Sequence, residues 1–171
     1  MMALTKIREA IVNVEKYFKE NLDTGPRADI RATAVMENGL RCRIQSPDGN
    51  SIYTDMAEIV GGANTASSPG WLCRASIASC DATLLAMRAA RQGIVLETVE
   101  VTVDAMSDGR GMFLDEGVSP GSSEVHINFR VGAKDVSPEK LQELVDWVIE
   151  HSPVSTDIVR AVDVSIELEI L

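Results

Sequence analysis

Apolar and polar residues alternate with two different periods along the first third of the chain. Thr5 to Leu22 repeats apolar residues at helical spacing and is followed by the helix-ending sequence Asp-Thr-Gly-Pro. Ala28 to Met56 alternates with a period of two, and its Asn38-Gly39 and Asp48-Gly49 pairs are typical of hairpin turns. We therefore predict an N-terminal helix followed by a meander of three strands.

The central stretch, Ser68 to Gln92, has the composition of a buried helix. Pro69 suits a first helical turn, Gly93 suits a helix end, and either Ser67 or Ser68 could cap the first turn. Apolar and small residues occupy every direction around the middle of this helix. Because a helix that is apolar all round is a buried helix, we predict one long, mostly buried helix here.

Two more strands and two helices are predicted after the central helix. Ile94 to Ala105 and Ser123 to Val131 alternate as half-buried strands, and the Gly- and Ser-rich stretch Ser107 to Ser122 is a loop between them. A helix begins at Pro138 and reaches the histidine before Ser152. A turn and a short helix then lead to a last strand, Val162 to Leu171.

Length and charge limit the classes of protein that this chain can represent. Its 171 residues are enough for one domain with a core, and its net charge of −10 argues against non-specific binding of nucleic acid. Three cysteines, an odd number, do not form a disulfide framework, and the first residues do not have the pattern of a secretory signal. We predict a single α+β domain over residues 1–171, with 1–26 as a helical extension. We also expect a cytoplasmic protein that does not bind a membrane.

The cysteines differ in their predicted surroundings. Cys42 shares the apolar face of the second strand, so it is predicted to be a core residue, whereas Arg41 and Arg43 share the other face. Cys73 and Cys80 lie two turns apart on the central helix, about 10 Å, which is too far for a disulfide within one helix. Taken alone, Cys80 has the position of a small apolar residue, because a reactive cysteine needs a nearby cation or a helix N-terminus.

Several other kinds of site do not fit the sequence. The loop Val60 to Ser68 has glycines but no nucleotide-binding pattern, so we interpret it as a connector. His126 and His151 lack the spacing of zinc ligands. The adjacent pair His151 and Ser152 is unsuited to a catalytic triad. We therefore predict no metal and no cofactor.

Two stretches of the sequence resemble one known family. In ASIASCDATLLAMRAARQGI, Cys80 follows Pro69 by eleven residues within an Ala- and Ser-rich helix. Near the C-terminus, HSPVSTDIVRAVDVSIELEI is similar to a Cys-Pro-Val-Ser turn followed by a short helix and a final strand. Both motifs resemble the OsmC/Ohr family of thiol-dependent hydroperoxide reductases, and the resemblance covers roughly Ala28 to Leu171.

The resemblance implies both an architecture and a chemistry. It implies an α+β fold in which a long central helix lies between strand-rich segments, and a homodimer of intertwined chains with their central helices packed together. It also implies a peroxiredoxin-like activity in oxidative stress. The thiolate of Cys80 would attack an organic hydroperoxide, release the alcohol and become a sulfenic acid.

The sequence departs from the family pattern at three places. Gly70 stands where the family has a glutamate that orients the catalytic arginine, and Ser152 stands where it has the resolving cysteine. The turn after the first strand also lacks the family's arginine. Arg41 and Arg43, which follow within a few residues, are the candidate catalytic cations, with Arg31 as another neighbour.

Two functions remain open on this basis. In the first, Cys80 is a single peroxidatic thiol. Either an external thiol reduces its sulfenic acid, or Cys73, on the same face of the helix, pairs with a thiol of another chain across a dimer. In the second, the chain is a non-catalytic module that holds a small apolar or fatty molecule in the same pocket. The missing glutamate and cysteine favour the binding module, and the retained Cys80 favours the peroxidase.

Overall fold

The computed structural model describes residues 2–25, 27–114, 117–160, 162 and 164–170. The N-terminal elements are α1 (Met2–Glu20), a 3₁₀ turn (Leu22–Thr24), β1 (Thr33–Asn38), β2 (Arg41–Gln45), β3 (Ser51–Thr54) and a second 3₁₀ turn (Glu58–Val60). The following elements are α2 (Pro69–Gln92), β4 (Leu96–Ser107), α3 (Arg110–Phe113), β5 (Ser122–Ala133), α4 (Pro138–His151) and α5 (Pro153–Val159).

The N-terminal meander is an antiparallel sheet in the order β1-β2-β3. Gly39 and Gly49 take the positive φ angles, +56° and +91°, that their two turns require. The first strand begins later than predicted, at Thr33, and the third ends at Thr54 rather than at Met56. Cys42 pairs with Thr54 across β2 and β3, which places both side chains on one face of the sheet.

The central helix has the predicted ends. Pro69 is its first residue, and the Ser68 side chain accepts a hydrogen bond from the N–H of Trp71 at 3.2 Å. Gly93 ends the helix in the left-handed conformation, with φ of +76°. Serine, proline and glycine at these places therefore define both ends of α2.

The long central helix is as predicted, and its burial within one chain is one-sided: Ile77 is 2% exposed and Leu84 is half-buried, whereas the other side of the helix is open to solvent. Leu85 and Ala89 form the core with Leu144 and Val148 of α4, and the β4-β5 hairpin packs against this cluster. The opposite side of α2 is exposed; it consists of Cys73, Ser76, Ser79, Thr83, Ala86 and Met87. A small-residue surface of this kind allows another backbone to approach closely.

The predicted last strand is wrong for the described residues. Residues 162 and 164–170 have no regular secondary structure, and Val164 and Ile166 are 82% and 89% exposed. A strand needs a neighbour for its N–H and C=O groups, and none of the described strands pairs with this segment. A smaller difference is α3, a short helix within the predicted loop over Ser107 to Ser122.

Helix α1 packs on α2 through an ion pair. Arg91 donates two hydrogen bonds to Glu15, at 2.8 Å and 2.9 Å, in the parallel geometry that suits a guanidinium and a carboxylate. The hydrogen bond from Arg91 lowers the pKa of Glu15. The N-terminal helix is thereby attached to the helix that carries Cys80.

Candidate active site

Cys80 lies in the middle of α2, half-buried, where this helix meets the junction between α4 and α5. The hydroxyl of Ser152 donates a hydrogen bond to the Cys80 sulfur, with 3.5 Å between Oγ and Sγ. Ser152 is completely buried. Cys80 and Ser152 are 72 residues apart in the sequence. The two motifs that resemble the OsmC/Ohr family therefore meet at these two side chains.

Ser152 is fixed in place by the helix ends around it. Its N–H donates to the Val148 carbonyl at 2.8 Å and so closes α4. Its side-chain oxygen accepts the N–H of Ser155 at 3.4 Å and so caps α5, which begins at Pro153. Because the oxygen is engaged as an acceptor by a backbone amide, its own proton is available to Cys80.

Asp81, next to Cys80, is a buried carboxylate that the sequence did not assign to the site. It is 2% exposed, and the Ser155 hydroxyl donates to its two oxygens at 3.1 Å and 3.3 Å. Ser152 and Ser155 together tie α5 to α2. The one signal in the sequence was that Asp81 is a lone charge in the apolar middle of a helix.

Arg41 and Arg43 lie on the face of β2 opposite Cys42, and the structure does not bring them to Cys80 within one chain. The Arg43 Nε donates to Glu37 at 2.6 Å. Among the described residues, the hydrogen-bond partner of Cys80 is Ser152 rather than an arginine. A catalytic role for either arginine therefore stays a prediction.

Arg41 is held by different neighbours. Its Nη1 donates to the Thr65 hydroxyl at 2.7 Å, and its guanidinium carbon lies 4.3 Å from the centre of the Tyr53 ring. Its Nε is 3.9 Å from the Glu37 carboxylate. These contacts keep the guanidinium at the junction of β2 and β3 with the loop that leads to α2.

Asp55 organises that loop, and no motif in the sequence indicated it. This carboxylate is 2% exposed and accepts the N–H groups of Met56 at 2.8 Å, Ala63 at 3.5 Å and Thr65 at 3.0 Å. It also accepts the Thr65 hydroxyl at 2.8 Å. The two hydrogen bonds from Thr65 are the largest cause of a pKa lowered to about 2.

We expect Asp55→Asn to destabilise the fold in a pH-dependent way. The folded pKa lies below the ordinary value of 3.8, so the charged Asp55 stabilises the fold above about pH 4, and this contribution is lost as the pH falls toward 2. The melting temperature of Asp55→Asn should therefore lie below that of the wild type at pH 7. The difference should shrink between pH 4 and pH 2, and a constant difference would contradict this assignment.

The other two thiols line one apolar groove of about 500 Å³ between the N-terminal sheet and the start of α2. Cys42 is half-buried and Cys73 is exposed. Apolar side chains dominate the walls, among them Met36, Leu40, Ile44 and Leu72. The groove has the size and lining of a site for a small apolar molecule.

Among the described residues, no group of three or more His, Cys, Asp or Glu side chains is placed to hold a metal ion. None of the helices in the described part of the chain is long and apolar enough to cross a membrane.

The fold and the site together define a class: an α+β protein whose long central helix carries a half-buried cysteine against a residue at a helix junction. The chain belongs to the family of OsmC-like proteins, because the model of that family matches residues 62–167, more than half of the chain. No curated protein is similar enough in sequence to count as a match.

Solved structures with this fold include proteins of organic hydroperoxide resistance. OhrB of Bacillus subtilis is 29% identical, with a TM-score of 0.52 over 83% of this chain and 98% of that chain. An OsmC-like protein of Mycoplasma pneumoniae is 14% identical, with a TM-score of 0.66 over 80% and 91% of the two chains. An organic hydroperoxide resistance protein of Legionella pneumophila is 21% identical, with a TM-score of 0.57 over 78% and 91%. The last two show likeness of fold alone.

Proposed function

We propose that this chain is a thiol-dependent organic hydroperoxide reductase that uses Cys80 as its single peroxidatic thiol. The observation that carries the proposal is the hydrogen bond from Ser152 to the Cys80 sulfur. The Ser152 hydroxyl is therefore a hydrogen-bond donor directed at the sulfur atom that, as a thiolate, is the nucleophile in reactions with peroxides. The similarity to OhrB of Bacillus subtilis, an organic hydroperoxide resistance protein, supports the same substrate class.

The reaction has two stages that balance in atoms and electrons. The Cys80 thiolate attacks the terminal oxygen of the hydroperoxide, so an S–O bond forms, the O–O bond breaks, and the alkoxide takes a proton and leaves as the alcohol. Cys80 is then a sulfenic acid. One external thiol attacks this sulfur to give a mixed disulfide and water, and a second thiol releases Cys80 and leaves as the external disulfide.

An external reductant follows from the residue at position 152. A serine hydroxyl cannot form a disulfide, so Ser152 can support the thiolate but cannot resolve the sulfenic acid. Cys73 lies on the exposed side of α2, where it is open to pairing with a thiol of another chain. We favour the external thiol because it needs no second cysteine in the site, and a cytoplasmic location would supply such thiols.

The test is to identify which cysteine an organic hydroperoxide oxidises first. The protein is treated with cumene hydroperoxide in the presence of dimedone, which traps sulfenic acids, and then digested with trypsin. Cleavage after Arg74 and Arg88 gives a peptide of residues 75–88 whose one cysteine is Cys80. We expect the dimedone adduct in this peptide within the first turnover, and loss of hydroperoxide consumption in Cys80→Ser.

Two controls make the result decisive. Cys73→Ser and Cys42→Ser should keep the adduct on Cys80 and keep hydroperoxide consumption with an added thiol such as dithiothreitol. Circular dichroism shows whether each variant is folded. An unmodified Cys80 in the folded wild type would exclude the peroxidase.

The second candidate is a binding module for a small apolar molecule, and the apolar groove beside Cys42 and Cys73 favours it. The discriminating result is tight binding of a fatty acid to the folded protein together with an inert Cys80. A Cys80 that reacts with the hydroperoxide favours the peroxidase, even if a fatty acid also binds.

We also propose that the whole chain is one domain and that two copies form a homodimer. The exposed small-residue side of α2 and the unpaired apolar side chains of residues 164–170 support this, because both are surfaces that a second copy can cover. The α1 extension would belong to the same domain through its ion pair with Arg91.

The dimer is expected in solution at micromolar concentration. Sedimentation equilibrium should give about twice the chain mass of 18.5 kDa. Met87→Glu, which places a charge on the exposed side of α2, should shift the protein toward monomer. A monomer for the wild type at micromolar concentration would contradict the proposed assembly.

A further inference from the structure

Asp81 is a buried carboxylate that follows Cys80 on α2. It lies in the apolar middle of the helix and is 2% exposed. A carboxylate is costly to bury unless hydrogen bonds or a cation replace the water that it loses. Among the described residues, its hydrogen-bond partner is the hydroxyl of Ser155, at 3.1 Å and 3.3 Å from its two oxygens. The contact that offsets the burial of Asp81 is therefore the one with Ser155.

Helix α5 depends on this contact because it buries few of its own side chains. None of its seven residues, Pro153–Val159, is fully buried, and Val159 is 85% exposed. A helix of this length is not stable by itself and needs tertiary contacts. Among the described residues, the side-chain hydrogen bonds from α5 to α2 are those from Ser155 to Asp81. Asp81 therefore holds the first turn of α5 against the central helix.

Ser155 connects this contact to the thiol. Its hydroxyl donates to Asp81, and its N–H donates to the side-chain oxygen of Ser152 at 3.4 Å. The Ser152 hydroxyl in turn donates its one proton to the Cys80 sulfur, across 3.5 Å. An N–H that occupies a lone pair of the Ser152 oxygen leaves that proton free to point at the sulfur. The contacts thus run from the buried carboxylate through two serines to the thiol.

The hydrogen bond from Ser152 acts on the direction of the Cys80 sulfur. A side chain on a helix has two common χ1 rotamers, and a contact at the sulfur favours one of them. Attack on a peroxide needs the sulfur in line with the O–O bond, so a sulfur that turns to a second rotamer reacts less often. The rate of reaction at Cys80 therefore depends on how firmly the Ser152 hydroxyl is held.

We propose that Asp81 and Ser155 are positioning residues for Cys80, an inference that rests on the proposed function. The carboxylate holds the Ser155 hydroxyl, Ser155 directs the hydroxyl of Ser152, and that hydroxyl orients the sulfur. Both residues act through Ser152 rather than on the hydroperoxide itself. The proposal gives the buried charge of α2 a use in the reaction and makes α5 part of the site.

The experiment measures the rate constant for oxidation of Cys80 by cumene hydroperoxide, read from the peptide of residues 75–88. Asp81→Ala removes the acceptor of the Ser155 hydroxyl, and we expect the rate constant to fall about fivefold, as for the loss of one typical hydrogen bond. Asp81→Asn keeps an acceptor oxygen and should stay within about twofold of the wild type. Equal rate constants for Asp81→Ala and Asp81→Asn overturn the proposal.

A cap variant controls for a general loss of stability. Ser137 caps α4 at the end far from Ser152, where it accepts the N–H of Lys140 at 3.3 Å. Ser137→Ala should lower the melting temperature, as removal of a helix cap does, and leave the rate constant at Cys80 unchanged. A fivefold slower Cys80 in Ser137→Ala would mean that lost stability alone explains the slow variants, which overturns the positioning role.

A double variant tests whether Asp81 acts through Ser152. Ser152→Ala removes the donor to the sulfur, so Asp81→Ala/Ser152→Ala should react no more slowly than Ser152→Ala alone. A further fivefold loss in the double variant overturns the proposal, because Asp81 would then act by a route that does not include Ser152.

Alkylation of Cys80 by iodoacetamide reads the same sulfur without a hydroperoxide. We expect Asp81→Ala to be alkylated more slowly than the wild type and Asp81→Asn to match the wild type. If hydroperoxide leaves wild-type Cys80 unmodified while alkylation follows this order, the proposed function fails and the positioning of the sulfur stands. If hydroperoxide oxidises Cys80 and neither rate responds to Asp81→Ala, the proposed function stands and the positioning role is overturned.

Discussion

Ser152→Cys is expected to change the product of oxidation at Cys80 from an overoxidised thiol to an intramolecular disulfide. In the wild type, the described residue that contacts the Cys80 sulfur is a serine, which has no thiol, so excess hydroperoxide should carry the sulfenic acid to sulfinic acid. The side-chain oxygen of Ser152 is 3.5 Å from the Cys80 sulfur, and both side chains are held by helices. A thiol at this place should condense with the sulfenic acid, forming an S–S bond and releasing water.

Intact-mass measurement after treatment with excess cumene hydroperoxide distinguishes the two products. We expect a gain of two oxygen atoms on Cys80 in the wild type and a loss of two hydrogens in Ser152→Cys. Ser123→Cys, with the new thiol on exposed β5, should give sulfinic acid like the wild type. A sulfinic Cys80 in folded Ser152→Cys would show that this contact does not have the geometry of a disulfide.

Leu85→Ala is expected to destabilise the protein more than any other single truncation on α2. Leu85 is completely buried between α4 and the β4-β5 hairpin, so its removal leaves a cavity that rigid neighbours cannot fill. Such substitutions lower the free energy of unfolding by about 2–5 kcal/mol. For a chain of this size, about 3 kcal/mol corresponds to a fall in melting temperature of roughly 6–12 °C.

Thermal unfolding followed by circular dichroism measures this effect. Ile149→Ala is the matched control, because Ile149 is 59% exposed on the solvent side of α4. The free energy of unfolding of Ile149→Ala should stay within about 0.5 kcal/mol of the wild-type value. Equal losses for the two variants would mean that the core does not lie where Leu85 meets α4.

The central helix could be predicted from the sequence because its ends depend on local chemistry. Ser68, Pro69 and Gly93 act within one turn of the helix, so their effect is visible in the sequence. Its burial depends on what lies around it. The same apolar pattern suits a helix buried within one chain and a helix whose second side is covered by another chain. The pattern alone therefore does not distinguish these two arrangements.

The last strand shows the same limit more clearly. Val164 and Ile166 alternate with polar residues as a strand requires, but the alternation does not supply the neighbouring strand. The prediction of a strand is wrong for the described residues 162 and 164–170. Only the partner for hydrogen bonding decides whether such a segment becomes a strand.

Only part of the candidate site could be predicted from the sequence. Cys80 and Ser152 could be paired from the sequence because both lie in motifs that resemble the OsmC/Ohr family. Asp55 and Thr65 could not, because a carboxylate that accepts loop amides has no fixed sequence spacing. Such contacts arise from how a loop closes, and the sequence contains no local sign of that closure.

Few residues can replace Ser152, because it ends α4, caps α5 and contacts the Cys80 thiol. The position accepts a small side chain with a polar atom one bond beyond Cβ, and cysteine is the residue that matches serine most closely in this respect. Most serine codons lie a single base from a cysteine codon. In the peroxidase that we propose, the change from dependence on outside thiols to an internal disulfide is therefore open to one mutation.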